Sequence, residues 1–222
     1  MYLTILMPCL NEAKSIAHCI IKAKKFLAKN NVQGEILIVD NGSVDNSVMI
    51  AKELGARVII ENEKGYGSAL RRGIKEANGD YIIMGDSDGS YDFENLAPFI
   101  EQFNNGYGFV CGNRFKGGIE RGAMPFSHKL GVPVLSAVAR LKYKVPIKDF
   151  HCGLRGFKTN LAKSMFFTST GMEFATELVG KFKDCKMTEV PITLHRDLRE
   201  GKPHLRTIRD GFRHLNYILT TT

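Results

Sequence analysis

The sequence predicts a single α/β domain in which helices flank a mostly parallel sheet, the arrangement called Rossmann-like. Its 222 residues are enough for one domain with its own core. Short apolar runs alternate with helix-forming segments through the first half, which is the pattern of a doubly wound parallel sheet. Polar clusters follow four of these runs, and ligands of such sheets bind beyond the carboxyl ends of the strands.

The predicted elements follow the chain in order. Apolar runs predict strands at 3–7, 35–40, 57–60, 81–84 and 109–112. Helical spacing of apolar residues predicts helices at 13–29, 43–54, 65–78 and 93–104. We expect Pro8 to end the pairing of the first strand, Ser43 to cap the second helix and Gly79 to stop the third.

The second half departs from this alternation. Residues 115–150 are too long for a tight connection and contain several glycines and prolines, so we expect a functional insertion with a helix at 134–142. A helix at 171–178 and a strand at 186–194 follow, and Pro191 marks that strand as an edge or a bulge.

Charge and cysteine content limit the partners and the compartment. Residues 1–111 hold 11 basic and 14 acidic residues, whereas residues 112–222 hold 20 and 9. A basic half favours an anionic partner, but the sequence has no helix-turn-helix, zinc-finger or RNP-like signature, so we expect no nucleic acid. The five cysteines are scattered without a Cys-x-x-Cys pair, which fits a reducing cytoplasm. No apolar run is long enough for a transmembrane helix, and the start lacks signal-peptide features.

The most informative stretch is Asp86-Ser87-Asp88, which comes directly after the predicted strand at 81–84. Two carboxylates two residues apart at a strand end lie on the same side of the chain and repel each other. A hard divalent cation relieves this repulsion, and Gly89 lets the backbone turn away after the pair. We therefore predict Mg²⁺ or Mn²⁺ holding a diphosphate here, with a solvated acidic loop as the alternative. An EF-hand does not fit, because position twelve of such a loop would be Ala97.

Similar polar clusters follow the other strands and are expected to meet at one edge of the sheet. They are Asn11-Glu12, Asp40-Asn41, Asp86 to Asp88, and Asn113-Arg114. Gly65-x-Gly67 is not a dinucleotide fingerprint, because Leu70 stands at its third glycine position and the motif follows the third strand.

The segment at 195–222 is predicted to be a basic amphipathic tail. Leu205, Ile208, Phe212, Leu215 and Leu219 share one helical face, and three arginines lie on another. This pattern is typical of a helix on a membrane surface, and an ordinary helix docked on the core is the alternative.

Taken together, the motifs resemble those of family 2 glycosyltransferases of the GT-A fold. The most similar branch contains the dolichol-phosphate mannose synthases and the bacterial polyprenyl-phosphate hexosyltransferases. The residues that carry the resemblance are Pro8 to Glu12, Val39 to Ser43, Asp86 to Asp88, Gly112 to Arg114, Asp149 to Phe157, Glu189 to Pro191, Arg196 and Lys202. The resemblance implies a GT-A domain at 1–194, with a nucleotide-sugar half at 1–114 and an acceptor half at 115–194.

The resemblance also implies roles for individual residues. The nucleotide sugar would be bound by Pro8, Leu10, Glu12, Asp40, Asn41, Asp86, Ser87, Asp88, Arg196 and Lys202. Asp86 and Asp88 would hold the metal ion, while Arg114, Lys129 and Arg155 would contact an acceptor phosphate. The catalytic group would comprise Asp88, Asp149 and Arg114. Asn41 departs from the family, which commonly has a second Asp at this position.

The implied activity is the inverting transfer of a hexose from UDP-hexose or GDP-hexose to a polyprenyl phosphate. It would take place at the cytoplasmic face of an anionic membrane surface, where the protein would be peripheral. A phosphate acceptor is already ionised at neutral pH and needs cations, whereas a hydroxyl acceptor needs a general base. Asp149 is therefore either a base or a group that orients Arg155 and its neighbours. The alternatives are transfer to a sugar or peptide hydroxyl, and a non-catalytic nucleotide-sugar binder.

Overall fold

The computed structural model describes residues 1–199, 217, 218 and 220. Within these residues, seven strands form one sheet in the order β3-β2-β1-β4-β6-β5-β7. Neighbouring strands are parallel except where β6 lies antiparallel between β4 and β5. The strands are β1 (Tyr2–Cys9), β2 (Gln33–Asp40), β3 (Arg57–Ile60), β4 (Tyr81–Met84), β5 (Phe109–Asn113), β6 (Arg155–Lys158) and β7 (Met187–Pro191).

Helices connect these strands and cover the sheet. They are α1 (Ile16–Lys29), α2 (Ser47–Glu53), α3 (Tyr66–Glu76), α4 (Ala97–Asn104), α5 (Arg114–Gly117), α6 (Phe126–Tyr143), α7 (Thr159–Ser164) and α8 (Phe174–Lys181). The central strands are apolar and buried along most of their length, as expected of parallel strands that are covered on both faces. Aromatic side chains fill the other half of the core, where the rings of Phe109, Phe157 and Phe182 pack against one another.

The predicted mostly parallel sheet and its first five strands are confirmed, and β7 is the predicted edge strand. The strand β6 was not predicted, because Arg155–Lys158 contains one large apolar residue and shows no clear alternation. The insertion helix is also longer than predicted, since α6 begins at Phe126 and continues through Pro133.

Two local predictions are wrong. Pro8 does not end the pairing of β1, which continues to Cys9, because the carbonyl of Cys9 accepts a hydrogen bond from the N–H of Asn41. Ser43 does not cap α2, which begins four residues later at Ser47. The Ser43 hydroxyl instead accepts a hydrogen bond from the N–H of Asn11 and so joins the loops that follow β1 and β2.

Most of the predicted basic tail, including Lys202, lies outside the described residues. In its described part, Tyr217 and Ile218 are helical and Ile218 is buried in the core. No helix among the described residues is both long enough and apolar enough to span a bilayer.

Candidate active site

The polar clusters that follow the strands do meet at one edge of the sheet. The strands β1, β2, β4 and β5 run in the same direction, so their carboxyl ends at Cys9, Asp40, Met84 and Asn113 face the same way. The antiparallel strand β6 begins at this edge, which brings the preceding segment of residues 149–154 there as well. The edge is therefore the candidate active site.

The acidic loop after β4 is held in place by hydrogen bonds from both sides. The Ser87 hydroxyl donates to the Pro8 carbonyl at 2.7 Å, and the N–H of Ser90 donates to Oδ1 of Asp88 at 2.9 Å. Gly89 has φ of +85°, and a Cβ atom there would lie 2.7 Å from the Leu198 side chain. Ser87 is thus used to fix the loop, and the glycine permits both the turn and the close approach of the chain after β7.

Two carboxylates at this edge, those of Asp86 and Glu12, have raised pKa values. Burial, together with the charge of Asp88, raises the pKa of Asp86 to about 6, although a hydrogen bond with the Tyr66 hydroxyl opposes the shift. Burial raises the pKa of Glu12 to about 7. Negative charge is therefore concentrated where little water can screen it, and the site favours a cation.

A cation from the chain itself, Arg199, already contacts these carboxylates. Its Nη2 lies 2.8 Å from Oδ2 of Asp88, and its Nη1 lies 3.5 Å from Oε1 of Glu12. The N–H of Leu198 donates to the carbonyl of Asp88 at 2.8 Å, which holds this segment over the acidic loop. Burial alone would lower the pKa of Arg199, but the charges of Asp88 and Glu12 raise it. The sequence analysis did not predict that Arg199 belongs to the site. The feature that could have indicated it is its position among the basic residues after the last strand.

A second charged group lies at the end of β5, where Arg114 and Asp149 form a buried ion pair. Nε and Nη2 of Arg114 donate to the two carboxylate oxygens of Asp149 at 2.8 and 2.7 Å, and the N–H of Arg114 donates at 3.0 Å. Glu189 braces the pair, because it accepts hydrogen bonds from the N–H of Asp149 and from the side chain of Asn113. Asp149 therefore orients Arg114. The expectation that it orients Arg155 is not met.

Arg155 is not placed to contact an acceptor phosphate. It is fully buried, and its guanidinium donates to the carbonyls of Cys152, Ala175 and Phe150 at 2.6, 2.6 and 3.0 Å. The prediction that Arg155 binds the acceptor is therefore wrong, because its donors already cross-link three segments of the interior. The sequence does not distinguish a buried arginine such as Arg155 from one at the surface.

Asp40 and Asn41 differ in whether they keep a hydrogen-bonding atom free for a ligand. Oδ2 of Asp40 accepts from the N–H groups of Gly42 and Ser43, while its buried Oδ1 has no partner among the described residues. The amide of Asn41 donates to the carbonyls at 61 and 63 and accepts from the N–H at 65. Asn41 therefore ties β2 to the start of α3 rather than facing a ligand, whereas Asp40 keeps a free acceptor.

The remaining predicted residues lie at the surface or outside the described part. Leu10 and Lys129 are exposed, Lys129 on α6, and Pro8 is half-buried. Arg196 is exposed, and its Nε donates to the carbonyl of Arg121 at 2.5 Å.

The acidic pair fits a metal ion that is shared with a ligand. Within the described residues, no group of three or more His, Cys, Asp or Glu side chains is arranged to hold a metal ion. Magnesium sites commonly use only one or two carboxylates and complete the coordination with water and substrate phosphates. Asp86, whose pKa is raised by burial and by the charge of the neighbouring Asp88, forms with Asp88 a pair that matches that pattern.

Comparison with known proteins identifies the family to which the chain belongs. Residues 4–166 match the family model described as glycosyl transferase family 2, so the chain belongs to that family. It is 38% identical over 98% of its length to the low-salt glycan biosynthesis hexosyltransferase Agl6 of Haloferax volcanii, of which it covers 53%. It is 29% identical over 97% of its length to the dolichol-phosphate mannosyltransferase of Pyrococcus furiosus, of which it covers 63%. A dolichyl-phosphate hexose transferase of Haloferax volcanii is 26% identical over 90% of the chain and 86% of the relative.

Solved structures confirm the predicted GT-A-like fold. Glucosyl-3-phosphoglycerate synthase from Mycobacterium tuberculosis, in complex with Mn²⁺, UDP and glucosyl-3-phosphoglycerate, superposes with a TM-score of 0.74. The match covers 98% of this chain and 78% of that one at 21% sequence identity. The same synthase has also been solved with Mg²⁺ and UDP.

Proposed function

We propose that the protein transfers a hexose from a nucleoside diphosphate sugar to a polyprenyl phosphate and inverts the anomeric carbon. The observation that carries this proposal is the acidic edge, where Glu12 and Asp88 pair with Arg199, a cation that the chain itself supplies, and Asp86 lies in the same loop as Asp88. Such an edge suits a donor whose diphosphate arrives together with a divalent ion.

The donor would lie across the ends of β1, β2 and β4. The free Oδ1 of Asp40 can accept a hydrogen bond from a base or a ribose, and Asp86 and Asp88 would hold Mg²⁺ or Mn²⁺. The metal ion, when bound, supplies positive charge that stabilises the leaving nucleoside diphosphate. Arg199 lies beside Asp88 and can transfer its contact from the carboxylate to the diphosphate. Arg196 and Lys202 remain candidates for the same role.

The state of Asp149 favours a phosphate acceptor over a hydroxyl acceptor. A hydroxyl group needs a general base, but Asp149 is fully buried and both of its oxygens are occupied by Arg114. A phosphate monoester carries its own negative charge at neutral pH and attacks without losing a proton to the protein. Arg114, held by Asp149, and Lys129 on α6 are the proposed contacts for that phosphate.

Two relatives point to the same acceptor class, since their names are dolichol-phosphate mannosyltransferase and dolichyl-phosphate hexose transferase. We therefore place the reaction at the cytoplasmic face of a membrane, where a polyprenyl phosphate and a soluble nucleotide sugar meet. Transfer to a sugar hydroxyl is the second candidate, because the relative with 38% identity is a hexosyltransferase of glycan biosynthesis.

The experiment is a transfer assay with purified full-length protein, Mn²⁺, labelled UDP-hexoses and GDP-hexoses, and two acceptor panels. We expect label to move to polyprenyl phosphates and not to short oligosaccharides, and we expect Asp88→Asn to lower the rate at least 100-fold, about the effect of losing a main charge-stabilising group. Glu101→Gln, at an exposed position on α4, is the matched control and should keep the full rate. Transfer to oligosaccharides alone would establish the second candidate, and nucleotide binding without turnover on either panel would overturn the proposal.

A further inference from the structure

The helix α6 carries a row of large apolar side chains that face away from the protein. The exposed fractions are 75% for Phe126, 60% for Leu130, 64% for Val134 and 81% for Leu141. At about 100° per residue, these positions fall within an arc of about 80° on the helix. Exposed apolar side chains are common singly, but a continuous row along four turns indicates an interaction surface.

The opposite side of α6 is fixed to the domain, so the apolar row has a defined direction. Ser136, Ala139 and Tyr143 are buried on that opposite side. The Ser136 hydroxyl accepts from the N–H of Phe150 at 3.2 Å, and the ring of Tyr143 stacks on that of Phe150 with centroids 5.9 Å apart. The apolar row therefore cannot fold back into the core without breaking this packing.

The charges around the row are of one sign. Phe126–Tyr143 contains Lys129, Arg140 and Lys142 but no Asp or Glu. The flanking segments 114–125 and 144–148 add Arg114, Lys116, Arg121, Lys144 and Lys148 against the single acidic residue Glu120. A second copy of the chain would bring the same positive charges together, which disfavours pairing of α6 with itself. An apolar strip with basic flanks is instead complementary to an anionic lipid surface.

We propose that the apolar row of α6, defined by Phe126, Leu130, Val134 and Leu141, docks the domain on an anionic lipid bilayer. The helix would lie in the headgroup region with its basic flanks against lipid phosphates, rather than cross the membrane. This inference rests on the proposed function, because α6 carries Lys129 and its Ser136 is hydrogen-bonded to Phe150, the residue after Asp149. Burial lowers the pKa of His128 in the first turn of α6, and the charge of Arg114 adds to this shift.

The test is flotation of the full chain with vesicles of phosphatidylcholine containing phosphatidylglycerol, and with phosphatidylcholine alone. We expect binding to the anionic vesicles and a loss of about tenfold or more in the double variant Leu130→Asp/Val134→Asp, which removes apolar area and adds charge that the lipid repels. Phe166→Asp changes an exposed phenylalanine outside α6 and is the matched control, expected to float like the unaltered chain. Circular dichroism verifies that both variants are folded.

The outcomes separate this inference from the proposed function. If the double variant floats as well as the unaltered chain, another surface binds the lipid and the inference is overturned. It is also overturned if the unaltered chain does not float but forms a dimer that the double variant dissociates. Loss of flotation in the double variant supports docking through α6 even if no prenyl phosphate accepts a hexose. If the proposed function also holds, the double variant should keep its rate with a short, water-soluble prenyl phosphate and lose rate with a long-chain acceptor in vesicles.

Discussion

Arg199 gives the acidic edge a positive charge before any substrate is present. Its guanidinium bridges Asp88 and Glu12, two side chains that come from different strand ends. Without it, buried carboxylates would face one another with no compensating charge, which is costly in a poorly solvated site. In the proposed function, the same guanidinium would contact the diphosphate once a metal ion is bound by the carboxylates.

We expect Arg199→Met to reduce kcat for hexose transfer by about 100-fold or more, the range seen when one group that stabilises transition-state charge is removed. Arg199→Lys should recover only part of the loss, because an ammonium group does not bridge two carboxylates as a guanidinium does. Steady-state kinetics with varied donor would measure both effects, and Arg121→Met, at an exposed arginine, is the control. An unchanged kcat in Arg199→Met would show that this arginine only packs against the loop.

The raised pKa values of Glu12 and Asp86 predict how stability depends on pH. Burial raises the pKa of Glu12 from 4.5 to about 7 and that of Asp86 from 3.8 to about 6. At a pH between the ordinary pKa of each group and its raised pKa in the fold, the folded chain binds more protons than the unfolded chain. These two groups therefore make the metal-free protein less stable as pH rises from about 4 to about 7.

Replacing Glu12 by glutamine removes its part of this dependence. We expect the free energy of unfolding of Glu12→Gln, relative to the unaltered chain, to increase by about 1–3 kcal/mol between pH 4.5 and pH 8. Urea unfolding at several pH values without metal would measure the difference. Glu101→Gln should show no such trend, and a constant difference for Glu12→Gln would mean that Glu12 titrates normally.

At the scale of the elements, the Arg114–Asp149 pair joins the end of β5 to the segment before β6. Glu189 on β7 accepts from the N–H of Asp149, so three neighbouring parts of the sheet depend on this group. The pair thereby fixes these three parts of the sheet relative to one another.

Asp149→Leu should destabilise the fold by about 3–5 kcal/mol, because it leaves the buried guanidinium of Arg114 without its partner. The double variant Arg114→Met/Asp149→Leu should recover much of that loss, since no unpaired charge remains. Urea unfolding of the single and double variants measures the coupling free energy between Arg114 and Asp149. If the double variant is no more stable than Asp149→Leu, the cost comes from altered packing and not from an isolated charge.

At the scale of the whole molecule, the sequence predicted the sheet and the edge that carries the site. The apolar runs within 3–7, 35–40 and 81–84 alternate with helical segments, so the strands and the parallel sheet that they form followed from the pattern. The position of Asp86 and Asp88 at a strand end followed for the same reason.

Other features could not be predicted because they depend on contacts between distant segments. The sequence does not distinguish Arg155 from Arg199. The guanidinium of Arg155 donates to buried backbone carbonyls, whereas that of Arg199 contacts Asp88 at the acidic edge. Asn41 was predicted to help bind the nucleotide sugar, but its amide donates to two backbone carbonyls, which a carboxylate cannot do. The exposed row on α6 was also hidden, because which side of a helix faces solvent depends on what packs against it.

The central claim is that Asp86 and Asp88 bind a divalent ion only together with the diphosphate of a nucleotide. The most direct measurement is a titration of the full chain with Mn²⁺, followed by electron paramagnetic resonance, with and without UDP or GDP. We expect the signal of free Mn²⁺ to fall when protein and the preferred nucleotide are both present, and to remain in Asp88→Asn. Tight nucleotide binding that is independent of Mn²⁺ and unchanged in Asp88→Asn would contradict the account.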